Sequence, residues 1–417
     1  MTIGQLINPR YCASKLISRF CFQPEQCAGC HFCLVQIMSS STILCAGMGC
    51  GIIDSLDADS NLPVEWNNLW ARADGHYHES YTVCRHCWEN IARVEGRELL
   101  CVTVWEHGRL LLVWPLVRYV QGPLRIIKPL TPCGGEANSI LVDPETDVSE
   151  VVRCAWTAIS SKTHGDVLYL PLIRIGSPLD QVVPKIAVNR FDRDAAPWAH
   201  FGFESDWDSY RKAIGARSLK YMMRYRKRIV EMGNAEFFSI DPTESPDQAT
   251  RLIDWMLVEK HRWTARAHKN HTWVDSRQYR NFLVQSVTDA SEVLKYRIFA
   301  ITLNNEPVAV KLIAICSGHL EYVIGAYSSD PQIAKFSPGL ILDEDWMRMA
   351  FDLGFDVDFG TGQEAYKLAW SKGYAEPLQS YRIPITWKGR VFLSAFNRFR
   401  KLRAKRKRAP NQNSAAQ

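Results

Sequence analysis

The spacing of apolar positions changes period several times along the chain, and each change marks an element. Residues 319–327 are rich in aromatic and β-branched side chains, as a strand is; residues 339–353 place Leu340, Ile341, Trp346, Met349, Ala350 and Leu353 at helical spacing and stop at Gly354. A polar loop at 328–338 joins the two. A short strand at 355–359 follows, then a tight turn at Gly360 and Gly362, then a helical segment at 364–372. Upstream, the pattern predicts a helix at 208–232, a strand at 235–240, helices at 246–265 and 276–289, and an antiparallel set at 294–302, 306–316 and 319–327; a closing strand falls near 381–386. The first half alternates helices with strands at 99–105, 109–117 and 166–170, and a Pro/Asp-rich stretch at 184–197 reads as a link between two units. The fold class is therefore α/β, with mixed sheets.

The start of the helix after residue 338 carries the first chemical signal. Ser337 is a favoured N-cap and Pro338 a favoured first helical residue. A helix start presents unpaired N–H groups and the positive end of a dipole, which suits a pyrophosphate. The second strand ends at Asp358, and the next helix opens with Glu364, Tyr366 and Lys367; strand ends and helix starts of this kind border crevices.

These motifs resemble the C-terminal half of GNAT-superfamily acyltransferases of the CelD-like type, associated with bacterial cellulose or exopolysaccharide synthesis. The resemblance rests on Ser337-Pro338-Gly339-Leu340, the stretch from Asp358 to Trp370, Asp206-Trp207-Asp208-Ser209-Tyr210, the basic run 217–228, the pair Arg262-Trp263 and Asn305-Glu306-Pro307-Val308-Ala309; it is weaker over 99–115 and 165–171. It implies two tandem GNAT-like units with a cleft between them, similar in outline to the Fem-type peptidoglycan transferases, and acetyl-coenzyme A or another acyl-coenzyme A as donor. On that basis Lys335, Ser337, Pro338, Gly339, Leu340, Gly360 and Gly362 are expected to hold the donor, and Arg224, Arg228, Arg262, Trp263, Tyr327 and Trp370 to face the acceptor. Asp358 or Glu364 is the expected base, Tyr366 the acid and Lys367 an electrostatic partner of the acyl or phosphate group. Each has a plainer reading beside it: Asp358 as a turn cap, Tyr366 and Trp370 as core, Lys367 as an ion-pair partner. The acceptor would be a small molecule or saccharide carrying an amine or hydroxyl. A Fem-like variant would take its aminoacyl group from a charged tRNA, the one case in which nucleic acid is expected as a partner, and a non-catalytic accessory of a polysaccharide synthase is the third class.

Charge refines this picture. The net +6 conceals two basic runs, 211–228 and 398–408, with eight Lys or Arg each and no acidic residue, so the rest of the chain sums to 6 − 16 = −10. The first run reads as a helix with Leu219, Met222, Met223, Ile229 and Val230 buried, and its basic face as either solvated or a wall for an anionic ligand. The second forms a basic helix end and tail at 389–417, for which contact with an anionic inner membrane leaflet and a merely solubilising role both stand. No stretch reaches the length of apolar sequence that spans a bilayer. A cytoplasmic protein, peripheral to the inner membrane where the tail engages it, is expected.

Of 13 cysteines, seven lie at or before Cys50, including Cys27-x2-Cys30-x2-Cys33. Residues 1–55 read as a leader outside the folded units, disordered or upstream of a true start at Met38 or Met48, and the units as 56–195 and 196–388. His76-x-His78 and Cys84-x2-Cys87 have zinc-ligand chemistry, but the helical spacing of the cysteines with Trp88 and Ile91 favours core packing, and no metal is expected. Scattered unpaired cysteines suit a reducing compartment. There is no Gly-x-Ser-x-Gly elbow and no Walker loop, so a covalent acyl-enzyme is not indicated, and Cys316 reads as core.

Overall fold

The computed structural model describes residues 43–45, 47–56, 61–183, 189–202, 204, 206–267, 272–289 and 291–408. Among these, fourteen strands form one sheet. The strands are β1 (Ile43–Cys45), β2 (Met48–Ile53), β3 (Glu98–Glu106), β4 (Arg109–Gln121), β5 (Leu124–Pro129), β6 (Leu141–Val142), β7 (Val167–Arg174), β8 (Asn189–Ala199), β9 (Ala235–Ile240), β10 (Lys295–Leu303), β11 (Glu306–Ile315), β12 (His319–Tyr327), β13 (Asp356–Asp358) and β14 (Ala375–Pro384). The helices are α1 (Leu62–Arg72), α2 (Tyr81–Cys87), α3 (Val148–Lys162), α4 (Pro178–Val182), α5 (Trp207–Ile214), α6 (Ala216–Glu231), α7 (Pro246–Arg266), α8 (Arg277–Thr288), α9 (Pro331–Ala334), α10 (Pro338–Leu353), α11 (Ala365–Trp370) and α12 (Trp387–Arg408).

The sheet is built twice from one plan. In the first half β2, β3, β4 and β5 pair antiparallel, α3 crosses over, and β7 returns parallel to β5 at Ile126↔Val167 and Ile127↔Leu168. In the second, β9 to β12 pair antiparallel, α10 crosses over, and β13 returns parallel to β12 over His319–Glu321 and Asp356–Asp358. A parallel return needs a crossover, and each crossover helix covers one face of its half. These are the two tandem units.

The halves exchange strands. β8 leaves the first half and pairs with β13 of the second, while β14 leaves the second half and pairs with β7 of the first; β8 and β14 pair with each other between them. The stretch expected as a link is thus, from residue 189 on, a long strand at the centre of the sheet. Its prolines misled the reading: Pro197 sits near the end of β8, where a missing N–H costs little.

Other boundaries move as well. β1 and β2 pair with each other and β2 with β3, and Met48 and Cys50 are buried, so the folded sheet begins well before residue 56; residues 1–42 lie outside the described residues. The helix expected at 208–232 breaks at Gly215, whose φ of 116° no L side chain adopts readily, giving α5 and α6. On α6 Met222 and Ile229 are buried, whereas Met223 and Val230 face solvent. Cys84, Cys87, Cys101, Cys154 and Cys316 are buried and form no disulfide among the described residues, as core packing predicts. Among the described residues no helix is long and apolar enough to cross a membrane.

The two parallel forks differ in what fills them. In the first, the strands part beyond Ile127↔Leu168, and the segment before β6 crosses the gap: Asn138 N donates to Leu172 O at 2.9 Å and Asn138 Nδ2 to Pro171 O at 2.8 Å. At the other end of this pair, the start of β7, Leu124, Ile126 and Val167 pack with Leu393 of α12. α12 can approach because Gly389 lies against the backbone of residue 166: a Cβ there would sit 2.1 Å from the Asp166 carbonyl oxygen. Gly389→Ala is therefore expected to lift α12 from the start of β7 at a cost of about 1–3 kcal/mol, the range for overpacking a tight contact, read from urea unfolding; an unchanged midpoint would mean that the helix is not seated there.

Candidate functional site

The second fork is open. Its ladder stops at Glu321 and Asp358; beyond them the chain turns toward β8, with Phe359 N donating to Pro197 O at 3.1 Å and Gly362 N to Ala195 O at 3.1 Å. From Tyr322 outward β12 therefore has no strand beside it on that edge among the described residues. A bulge sharpens the divergence, since Val323 is the extra residue between the pairs Tyr322↔Ile313 and Ile324↔Leu312. The slot so formed is bordered by the β12 edge, the Gly360–Gly362 turn and the first turn of α10, where Gly339 lies so close to the Tyr327 ring that an added Cβ would sit 3.3 Å from it.

One side of the fork carries a charged cluster drawn from both halves. His319 and Glu321, two apart on β12, face the same way. Glu321 Oε1 accepts from His319 Nε2 at 2.9 Å, from His76 Nδ1 at 2.9 Å, from Tyr77 N at 3.0 Å and from Cys316 Sγ at 3.4 Å. His76 is fixed by the loop after α1: its N–H donates to Glu79 Oε2 at 2.9 Å, and its carbonyl accepts from Trp70 Nε1 at 2.8 Å. Only glycine fits at position 75, because an added Cβ would fall 2.3 Å from the Trp70 ring. Next to this group Asp358 takes a close ion pair from Arg174 of β7 and accepts from Gly360 N at 2.8 Å; His76 Nδ1 stands 3.7 Å from it. Arg174 also pairs with Glu376 of β14, and its guanidinium lies 5.0 Å from the centre of the Trp198 ring of β8.

Burial alone would lower the pKa of His76, but the Glu321 carboxylate outweighs it and holds the imidazole at about 8. Burial pushes Glu321 the other way, and His76, with the hydrogen bond from His319, keeps it well below the usual carboxylate range. Arg174 is raised despite burial, by Asp358 and Glu376. Three donor atoms of His76, His319 and Glu321 lie within 4.8 Å of one another, a ligand set in type. Hydrogen bonding to Glu321 Oε1 brings the two imidazoles together. Arg174 Nε and Trp198 Nε1 are buried donors with no acceptor among the described residues.

The other side of the fork is lined by Lys311 of β11, close-paired with Asp343 of α10, which also accepts from Trp346 Nε1 at 2.9 Å. The Lys311 ammonium lies 5.4 Å from each of the Tyr322 and Tyr366 rings. Burial lowers the Lys311 pKa against the pull of Asp343, and burial raises both tyrosines, which stay protonated phenols.

The residues expected from sequence divide accordingly. Tyr366 faces Lys311 and Tyr322 inside the fork. Lys367 Nζ donates to Thr361 O at 2.6 Å and pairs with Glu364 at 3.1 Å, so both brace the glycine turn rather than standing free. Asp358, expected as a base, is held by Arg174 and caps that turn. Pro338 opens α10 as expected, but Ser337 does not cap it: its φ is 48° and its side chain makes no cap bond. Lys335 donates to Gln332 Oε1 at 2.7 Å, and Leu340 is exposed at the slot's mouth. Arg224 stacks over Tyr225, whose ring lies 6.0 Å from Phe336, which places it beside the same loop; Arg228 pairs instead with Glu231 at 2.8 Å. Arg262 pairs with Glu259, and Trp263 lies 4.9 Å from the Lys260 ammonium, on a helix that reaches the outer end of β12 through Lys260 Nζ and Gly325 O at 3.3 Å. Trp370, expected to face the acceptor, is buried and stacked on Trp207 and Tyr210 in the core. The sequence reading missed Glu321, His319, Arg174, Trp198 and Lys311, and took His76 for packing. The signals available were the His319-x-Glu321 alternation on an apolar strand and a lone lysine within another.

Residues 216–368, from α6 to α11, match the family model of the acetyltransferase (GNAT) domain. Among curated proteins none matches the sequence. The crystal structure of FemX superposes with a TM-score of 0.52 at 11% identity, over 77% of this chain and 96% of that one, and the two share a fold. A tandem GNAT protein from the clavulanic acid biosynthesis pathway gives 0.44 at 10% identity, covering 81% and 99%. The C-terminal domain of a putative lysylphosphatidylglycerol synthetase from Agrobacterium fabrum gives 0.49 at 11%, covering 81% and 96%.

The His76–Glu321 pair gives a pH signature. A histidine whose pKa rises from 6.5 to about 8 on folding adds stability that is complete below about 6.5 and lost as pH climbs through about 8. Wild type is expected to exceed His76→Gln by about 2 kcal/mol near pH 6, with the gap shrinking by pH 9 in urea titrations. A gap independent of pH would mean that the imidazole is not charged in the folded state.

Proposed function

We propose that the chain is an acyltransferase that binds an acyl-coenzyme A in the second fork and passes the acyl group to an amine or hydroxyl held at the junction of the two halves. The observation that carries this reading is the fork itself: a parallel pair that ends at Glu321 and Asp358 and leaves an unpaired strand edge beside a helix start. The β12 edge offers amides to a donor's pantetheine arm and carbonyl, and the first turn of α10, with Arg224 nearby, suits its phosphates. The first fork, crossed by the chain at Asn138, offers no equivalent.

The proposed chemistry is direct transfer. With Nδ1 donating to Glu321, neutral His76 keeps Nε2 to take the proton of the acceptor as its nitrogen or oxygen attacks the thioester carbonyl. Carbonyl carbon–sulfur cleavage then releases the coenzyme A thiolate, which takes a proton from Tyr366 or Tyr322, phenols kept neutral by burial. Arg174 and Trp198, each with an unpartnered buried donor, are placed to fix the acceptor's own oxygens. The sequence resemblance favours a saccharide acceptor of the kind used in polysaccharide synthesis. A second reading, with a charged tRNA as donor, draws on the exposed Arg224, Lys227 and Arg228 of α6.

A thermal-shift panel separates the two, because a ligand that binds only the folded state raises the melting temperature. Acetyl-coenzyme A and free coenzyme A are expected to stabilise the protein and bulk tRNA is not; a shift with tRNA alone would replace the first reading with the second. With a working acceptor, kcat/KM is expected to rise with pH and level off above about 8, where His76 is neutral. His76→Gln should remove that limb and lower turnover by about 10² to 10⁴ while leaving donor affinity unchanged. Lys367→Ala should instead weaken donor binding by loosening the Gly360–Gly362 turn. A pH profile unaltered by His76→Gln would move the base elsewhere.

A further inference from the structure

The last of the described helices presents a face that the other described elements leave exposed. α12 is seated through Gly389, Leu393 and Phe396, with Leu393 packed on Leu124, Ile126 and Val167 at the start of β7 and Phe396 beneath the Arg382 guanidinium at 5.0 Å. At about 100° per residue these positions share one side. Trp387 and Val391 fall opposite them and Phe399 and Phe392 on the adjoining flank, where Phe392 stacks on Phe396 at 6.4 Å; the four are 70%, 60%, 63% and 44% exposed, with Lys388 and Arg398 set between them. Four large apolar groups in the water along one helix are not explained by the core.

Charge identifies what would cover them. Between Trp387 and Arg408 there are ten Lys or Arg and no acidic residue. A second protein copy would bring the same positive helix against itself, and the remainder of the chain, at 6 − 10 = −4, carries only a diffuse negative charge. A nucleic acid would match the charge but has little use for Val391 and Phe392. An anionic bilayer matches both, since headgroups neutralise the Lys and Arg while the apolar side enters the boundary with the acyl chains; an indole such as that of Trp387 is at home in that interface. We infer that α12 is an in-plane membrane helix that docks the protein on an anionic phospholipid surface, with Trp387, Val391, Phe392 and Phe399 as the inserted face. The inference does not depend on the acyl-transfer reading, because α12 is seated on the first half, at the start of β7.

The test is flotation of the full chain with vesicles of phosphatidylcholine alone and of phosphatidylcholine mixed with phosphatidylglycerol. The wild type should float with the mixed vesicles and hardly with the neutral ones. Trp387→Ser, Val391→Ser and Phe399→Ser, combined, change only side chains that are 60% or more exposed, so the melting temperature should hold while partitioning falls by at least about tenfold. Arg398→Gln, Arg400→Gln and Lys401→Gln, combined, leave seven of the ten basic residues and should weaken the preference for anionic lipid. The inference fails if the wild type does not float with either vesicle. It fails equally if the serine variant floats as well as wild type, which would leave only unspecific charge attraction. Sedimentation that reveals a wild-type dimer dissociated by the same serines would assign the face to a second copy and overturn the membrane reading.

Discussion

The close ion pair between Arg174 and Asp358 is the interaction on which the rest of the arrangement depends. Arg174 ends the last strand of the first half, Asp358 ends the last strand of the second, and both are buried. Two charges out of water are tolerable only when their remaining lone pairs and protons are also engaged. Here Glu376 takes a second guanidinium edge and Gly360 N the other Asp358 oxygen, while Arg174 Nε keeps no acceptor among the described residues. Arg174, Asp358 and Glu376 come from β7, β13 and β14, so the network closes only when these strands, with β8 between β14 and β13, are in register. Register and charge satisfaction therefore enforce one another at the centre of the sheet.

Strand exchange explains why that centre is also where chemistry collects. A half built on this plan ends its sheet with a parallel strand whose outer edge needs a partner. Each half receives that partner from the other, β8 for β13 and β14 for β7. The strand ends carrying Arg174, Trp198, Asp358 and Glu321 are thereby drawn together, and the loop that carries His76 closes over them. Neither half contains this set alone. The segment from 216 to 368 that matches the GNAT domain holds Glu321, His319 and Asp358 but lacks His76, Arg174 and Trp198.

How much of this was legible in the sequence follows from the range of each interaction. Local signals read well. Period-3.6 spacing and Pro338 placed α10 within a residue, period-2 spacing placed β10 to β12, and the resemblance of the second half to GNAT proteins agrees with the order found. Signals were misread where a local rule met a tertiary override. Prolines in 184–197 suggested a link, yet Pro197 sits harmlessly near the end of a central strand; Ser337 looked like a cap but takes a left-handed conformation; Trp370 looked available but fills a core. What stayed hidden was pairing over long separations. His76 meets Glu321 across 245 residues and Arg174 meets Asp358 across 184, and no spacing rule connects them.

The asymmetry between the two forks is the last consequence of duplication. Both have the same topology, and what the chain does beyond the last parallel pair decides their fates. At the first, the segment before β6 runs into the gap, where Asn138 bonds to Leu172 and Pro171 of β7 and engages that strand's edge. At the second, Gly360 and Gly362 adopt positive φ and carry the chain away toward β8, leaving the strand edge bare. The first opening is thus used up by the fold's own hydrogen bonds, whereas the second keeps its polar edge for a ligand. A fold built twice on one plan divides its labour here by closing one copy.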